Sequence, residues 1–150
     1  MSYEDIEHQL DEDPAVCGRS ISYLYRRSGA YFSVALKKLG LTTAQSIVLI
    51  GVYRYDGINQ RALGDVISMT PGVVSRTLRE LEDKDYVTKE RDETNRRNYL
   101  LHVTPKGREL AEADLQLQER YWHALLCDLT PQEIEILNSA LIKMDRRSRE

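Results

Sequence analysis

Asn59-Gln60-Arg61-Ala62-Leu63-Gly64-Asp65-Val66-Ile67-Ser68-Met69-Thr70-Pro71-Gly72-Val73-Val74-Ser75-Arg76-Thr77-Leu78-Arg79-Glu80-Leu81 carries two short helical patterns, joined by a turn at Ser68-Met69. In the first, Asn59 is a capping residue, and Ala62, Leu63 and Val66 supply apolar positions at three- and four-residue spacing. The second opens at Thr70-Pro71-Gly72. There a threonine side chain is suited to accept from orphan amides, and proline fits the first helical position because its missing N–H costs nothing. Val74, Leu78 and Leu81 fall at i, i+4 and i+7 and bury one face, which leaves Ser75, Arg76 and Arg79 on the other. A polar, arginine-bearing face on a short helix suits the major groove of DNA.

Taken alone, that second pattern describes any surface helix whose arginines sit in water; the residues C-terminal to it change the reading. After Tyr86 the period switches from helical to extended, with Val87-Thr88-Lys89-Glu90-Arg91 on one side and Asn98-Tyr99-Leu100-Leu101-His102-Val103 on the other. Between them lies the polar tip Asp92-Glu93-Thr94-Asn95-Arg96-Arg97. Adjacent arginines on a two-stranded ribbon have the shape and charge to reach a minor groove or flanking phosphates. Two helices succeeded at once by such a ribbon read as a winged helix-turn-helix, so the expected fold class is mainly α with a small β-hairpin wing.

These pieces, in this order and spacing, resemble the MarR-type transcriptional regulators over roughly Leu39 to Gly107. The matching stretches are Leu39-Gly40-Leu41-Thr42-Thr43-Ala44-Gln45, Leu63-Gly64-Asp65-Val66, Thr70 through Leu81-Glu82-Asp83-Lys84, and the wing from Arg91 through Arg97 into Val103-Thr104-Pro105-Lys106-Gly107. Two positions depart from the family pattern. Its wing usually carries Asp-x-Arg, and here Arg97 stands at the arginine with Asn95 where aspartate is expected, so a salt bridge gives way to a hydrogen-bond acceptor. Asp85 stands where the family commonly has glycine at the helix exit, and aspartate tolerates a left-handed cap less well.

The flanks read as packing helices. Ile21, Leu24, Tyr25, Tyr31, Phe32, Ala35, Leu36 and Leu39 recur at helical spacing from Pro14 onward, with Gly29 as a point of interruption. Thr104-Pro105 starts a helix carrying Leu110, Ala113, Leu117, Tyr121 and Leu125. Thr130-Pro131-Gln132-Glu133 is a capping box before Ile134, Leu137, Leu141 and Met144. Apolar helices at both ends exceed what one small lobe can bury, so they are expected to pair with a second copy, and the resemblance implies the same two-fold dimer. Two recognition helices would then lie about 34 Å apart, one DNA turn, on a palindromic operator. The organisation expected is one domain over 1–150: an acidic tail at 1–13, dimerisation helices at 14–40 and 105–150, and the winged helix-turn-helix lobe at 41–104.

In the middle, Thr42 and Gln45 form a second capping box before Ile47-Val48-Leu49-Ile50-Gly51-Val52-Tyr53, a run apolar nearly all round that reads as the core helix and stops at Asp56-Gly57. The resemblance implies a small-molecule pocket between this helix, the first helix and the DNA-binding lobe. Tyr23, Tyr25, Arg26, Arg27, Tyr31 and Tyr53 are the candidates to line it, because tyrosine with arginine suits an aromatic or phenolic acid. The same side chains would serve equally as interface or surface residues.

Composition bounds the remaining classes. The chain has 150 residues, 41% of them hydrophobic, and a net charge of −3. Six of its 24 acids lie in residues 1–15, which hold no Lys or Arg, so the remainder sets 21 bases against 18 acids and is +3. That suits a few placed phosphate contacts rather than a broad basic surface. No signal peptide or bilayer-spanning run is evident, and a cytoplasmic protein is expected. Cys17 and Cys127 read as thiols rather than a structural disulfide. Some MarR-type proteins sense oxidants through a cysteine near the start of the first helix; Cys17 is close to that place, but with Val16, Gly18 and only Arg19 around it the match is poor. His8, His102 and His123 are scattered, and no HExxH, CxxC pair, GxSxG, P-loop or GxGxxG is present. No enzyme, cofactor or metal site is therefore expected; only convergence of distant residues such as Cys17, His123 and Cys127 would make a ligand set. The expected function is a sequence-specific, DNA-binding transcriptional regulator, a ligand-responsive repressor acting as a homodimer. The DNA contacts would come from Thr70, Gly72, Ser75, Arg76 and Arg79 in the major groove and Arg91, Arg96 and Arg97 on the wing. The alternatives are a protein-interaction module on the same scaffold and a redox-responsive regulator using Cys17.

Overall fold

Residues 14–93 and 98–150 are described by a computed structural model. The acidic tail and the wing-tip residues Thr94, Asn95, Arg96 and Arg97 lie outside the described residues. The elements run α1 (Pro14–Lys37), α2 (Thr43–Arg54), β1 (Ile58–Asn59), α3 (Gln60–Ile67), α4 (Pro71–Asp83), β2 (Val87–Arg91), β3 (Tyr99–Val103), α5 (Pro105–Leu125) and α6 (Pro131–Ser148). The fold is mainly helical with a small antiparallel sheet in the order β1-β3-β2. The hairpin β2–β3 matches the extended pattern in the sequence; the third strand, β1, is only two residues long and too short to leave a period.

Local signals explain most helix starts. The Thr42 hydroxyl accepts from the Gln45 N–H at 3.2 Å, and Gln45 Oε1 accepts from the Thr42 N–H at 3.1 Å, a complete capping box. Asn59 Oδ1 accepts from the Ala62 N–H at 2.9 Å and starts α3. Thr70 departs from expectation: it occupies the N-cap of α4, but its side chain makes no capping hydrogen bond. Pro71 has already removed one orphan donor, and Thr70, Pro71 and Gly72 are all exposed, so water can serve the remaining amides.

The chain divides into two compact units at Ala111/Glu112, inside α5. The core of the first unit joins Val48, Leu49 and Val52 of α2, Leu63 of α3, Val74, Leu78 and Leu81 of α4, Val87 of β2 and Leu101 of β3, with Leu36, Leu41 and Ala111 beside them. Val66, expected to face this core, is 44% exposed; Ile67, one full turn beyond Leu63, packs there instead. Ile47 is likewise exposed, so α2 is not buried all round. Where α2 meets α3, a Cβ on Gly51 would lie 2.7 Å from Leu63 Cδ1.

Helix α1 runs unbroken through Gly29. Leu36 and Phe32 near its end pack on the core, as does Leu39 just beyond it, while Leu24, Tyr25 and Tyr31 from the same repeat are exposed. In the second unit α6 has no buried residue, and Ile136, Leu137, Leu141, Ile142 and Met144 are exposed.

The exit of α4, the entry to β2 and the start of α5 are knotted together by backbone contacts. Asp85 takes a φ of 59°, the left-handed exit for which glycine is better suited, and the Tyr86 N–H donates to the Leu81 carbonyl at 2.9 Å. The Thr104 hydroxyl donates to the Asp85 carbonyl at 2.7 Å and accepts from the Gly107 N–H at 2.9 Å. A Cβ on Gly107 would sit 1.9 Å from the Tyr86 carbonyl oxygen, a backbone atom with no rotamer to escape into. Gly107→Ala should therefore cost about 1–3 kcal/mol, and Asp85→Gly should gain about 0.5–1 kcal/mol, both read from urea unfolding. Unchanged stability in Gly107→Ala would refute the close approach.

At the start of α6 both the backbone N–H and the hydroxyl of Thr130 donate to Glu133 Oε2 at 2.7 Å, and together they hold the Glu133 carboxyl below its ordinary value. The cap's contribution is thus complete above the unfolded-state pKa and is lost as pH falls through the lowered folded one. NMR titration of Glu133 should show its midpoint rising in Thr130→Val, which keeps the amide but removes the hydroxyl; coincident midpoints would contradict the assignment.

Candidate nucleic-acid interface

Burial of Val74, Thr77, Leu78 and Leu81 fixes the rotation of α4 about its own axis. Arg76 and Arg79 consequently face outward, with Ser75 half-buried at the edge of the same face. Ahead of them, exposed Thr70 and Gly72 flank Pro71 at an N-terminus whose free amides carry the positive end of the helix dipole. The residues expected in the major groove, Thr70, Gly72, Ser75, Arg76 and Arg79, therefore lie at the N-cap and along one outer face of a single 13-residue helix.

The turn before α4 is compact. Ser68 is left-handed, with φ 55°, and the Met69 N–H donates to the Gly64 carbonyl at 3.0 Å. This holds α3 beside α4 and opens a groove of about 770 Å³ lined by Gln60, Arg61, Ser75, Arg79, Lys89 and Tyr99 among others. Arg61, Lys89 and Tyr99 were not singled out from the sequence. Arg61 was legible in principle, as a cation on the face of α3 opposite Leu63. Lys89 and Tyr99 depended on the strand register, in which Lys89 pairs with Leu101 and Arg91 with Tyr99. Lys89 does not face the groove as a free charge, because Glu82 Oε2 lies 2.6 Å from its ammonium.

On the wing, Arg91 is exposed and its guanidinium lies 5.9 Å from the Tyr99 ring centre. At the base of the tip the Asp92 N–H donates to the Asn98 carbonyl at 3.1 Å, which closes the ribbon just before the segment bearing Arg96 and Arg97, both outside the described residues. His102, on β3, sits with Nδ1 3.1 Å from Asp56 Oδ1 at the wing's root, while Nε2 lies 3.7 Å from Glu90 Oε2, beyond hydrogen-bond distance.

The residues named for a small-molecule pocket are distributed as follows. Tyr23, Tyr25, Arg26, Arg27 and Tyr31 are all exposed on α1. Arg26 lies over the Tyr23 ring at 5.1 Å, and Tyr31 meets Phe32 edge-on at 5.4 Å. Tyr53 is half-buried on α2, with the Arg108 guanidinium over its ring at 5.3 Å. Among the described residues, no group of three or more His, Cys, Asp or Glu is arranged to hold a metal ion, and both cysteines are exposed and unpaired with each other.

Residues 39–98 match the model of the MarR family. A crystal structure of a MarR transcriptional regulator from Methanosarcina mazei Go1 is 32% identical, covering 90% of this chain and 98% of that one, with a TM-score of 0.78. The chain belongs to the MarR family. A putative MarR-family regulator from Listeria monocytogenes, solved in complex with 26mer DNA, superposes with a TM-score of 0.83 at 27% identity over 91% of this chain and 89% of that one. The HTH-type transcriptional regulator YdgJ of Bacillus subtilis strain 168 is 26% identical over 131 residues, 85% of this chain and 80% of its own length. Membership places the chain among DNA-binding transcriptional regulators, and its relatives are named for regulation rather than for catalysis. The winged-helix reading of the segment from Asn59 to Thr104 thus agrees with both the fold and the family.

Arg61, at the mouth of the groove, gives the interface an independent check. Arg61→Ala should weaken binding to duplexes of any sequence alike and reduce the slope of log K against log salt by about 1. Unaltered binding across a salt series would remove Arg61 from the interface.

Proposed function

We propose that this MarR-family chain is a ligand-responsive repressor that binds a palindromic operator as a homodimer. The observation carrying the reading is the α4 face: an N-terminus whose Thr70 makes no side-chain cap, then Arg76 and Arg79 held outward by burial of the opposite side, with Ser75 at their edge. Thr70, Gly72, Ser75, Arg76 and Arg79 approach the major groove, while Arg91, Arg96 and Arg97 supply the wing's phosphate or minor-groove contacts.

Dimerisation is supported by the apolar side chains that a single copy leaves exposed on α1 and α6, Leu24, Tyr25, Leu137 and Leu141 among them. In this reading 14–40 and 105–150 are the dimerisation helices and 41–104 the DNA-binding lobe of one domain. The effector is a small aromatic or phenolic acid, recognised by Tyr23, Tyr25, Arg26, Arg27, Tyr31 and Tyr53. It acts by preferring dimers whose two recognition helices are misspaced for DNA, and it lowers operator affinity only by that preference. No helix among the described residues is long and apolar enough to cross a membrane, and action on cytoplasmic DNA belongs to the same reading.

Selection from a random duplex pool, then fluorescence anisotropy on the winners across a salt series, tests the whole reading. The expected result is saturable binding that requires both halves of a palindrome and weakens steeply with salt. Arg97→Ala should lower affinity and the salt slope together, and Leu141→Glu should shift sedimentation toward monomer. Binding indifferent to sequence at every salt would overturn operator recognition in favour of a protein-interaction role.

A further inference from the structure

Arg76, on the outer face of α4, has 77% of its side chain accessible, yet it has a counter-charge. Its Nε lies 3.6 Å from Glu80 Oε1, one turn further along the helix. A surface i,i+4 pair of this kind is ordinarily loose, because two long side chains must be held in one geometry against solvent. Here the carboxylate is not free to wander. Its other oxygen, Oε2, accepts from Gln45 Nε2 at 2.8 Å.

Gln45 is itself immobilised. It is 4% exposed, and its amide oxygen accepts from the Thr42 N–H at 3.1 Å and from Lys84 Nζ at 3.4 Å. Those two donors fix which end of the amide is oxygen, so its NH₂ has to point at Glu80. Lys84 also donates to the Gly40 carbonyl at 3.3 Å. A chain of contacts therefore runs from the capped start of α2, through Gln45, to a carboxylate on α4, and ends at Arg76 on its outer face.

We propose that Gln45 and Glu80 are positioning residues for Arg76: they hold its guanidinium in one orientation over the α4 face and thereby set its base discrimination. The proposal rests on the proposed function, in which Arg76 meets DNA. The arrangement has an electrostatic logic as well. A carboxylate near an incoming duplex repels phosphate, and a carboxylate drawn back by a buried amide and faced by an arginine does so least.

Two substitutions break the chain at different links while sparing the fold. Gln45→Glu keeps the capping box, for which glutamate is equally suited, and strengthens the Lys84 contact, but sets a like charge against Glu80. Glu80→Gln preserves volume and removes the charge facing Arg76. On the selected operator and its single-base variants, Arg76→Ala should abolish discrimination at the base pair that Arg76 reads. Gln45→Glu and Glu80→Gln should each reduce that discrimination about three- to tenfold, leave discrimination at other positions intact, and add nothing in an Arg76→Ala background. Melting temperatures within a few degrees of the parent would show that the scaffold is preserved, as roughly 1 kcal/mol moves a domain of this size by about that much. Full discrimination in both relay variants, alongside its loss in Arg76→Ala, overturns the positioning role while leaving Arg76 as a reader. Discrimination unchanged in Arg76→Ala itself removes Arg76 from base reading, and the relay falls with it. A uniform loss at all positions in the relay variants would mean a general distortion and also overturns the proposal.

Discussion

The burial of one side of α4 is the interaction on which the rest depends. Val74, Leu78 and Leu81 are wholly inaccessible, and at roughly 1.5–3 kcal/mol for each large aliphatic side chain their burial outweighs any preference of the polar face. Rotating α4 by one residue, about 100°, would drive Ser75 or Arg79 into that core and expose a leucine. The orientation of the arginines is therefore set by the residues that never meet solvent. The supporting surface comes from α2 and α3, which approach closely because Gly51 offers no side chain to Leu63.

A second constraint links the recognition helix to the wing and to α5. With Asp85 left-handed, the chain turns sharply enough for Tyr86 to stay hydrogen-bonded to Leu81 while Val87 enters the core. The Tyr86 carbonyl then accepts from the Thr104 N–H at 3.1 Å and lies over Gly107. Both strands of the wing are thus anchored close to a helix end, and the tip is placed by a short, stiff ribbon. Lys106 adds to this corner by donating to the Lys84 carbonyl at 2.9 Å with its ammonium 4.7 Å from the Tyr86 ring.

Much of this was legible in the chain because local chemistry and tertiary packing agree. The capping boxes at Thr42 and Thr130, the Asn59 cap, Pro71 at a helix start and the i, i+4, i+7 stripe of α4 each depend on residues within one or two turns. What was not legible required knowledge of a partner distant in sequence. Val66 and Ile67 are both aliphatic neighbours, and only the angle at which α3 crosses α2 decides which faces inward. Nothing in the local pattern showed that Thr70 would leave its helix uncapped, because a threonine before a proline has the same spelling whether or not its hydroxyl turns inward. Of the interface, the α4 cations came from periodicity, whereas Lys89 and Tyr99 emerged only with the register of β2 on β3. Glu80 and Gln45 lie 35 residues apart, and no local rule pairs them.

The charge balance acquires a physical reading from these contacts. Outside its acidic amino terminus the chain has an excess of only three positive charges, too few to bind DNA by bulk attraction. On the recognition lobe, however, two acids are already engaged: Glu80 by Gln45 and Arg76, and Glu82 by Lys89. An engaged carboxylate contributes less repulsion toward phosphate than a free one at the same place, because its field is partly cancelled at short range. Arg61, Arg79 and Arg91 are exposed on the same lobe, and in none of these ion pairs is any of the three the cation. Such an arrangement favours binding that depends on register, since a few fixed cations reward one docking geometry where a diffuse basic surface would reward many.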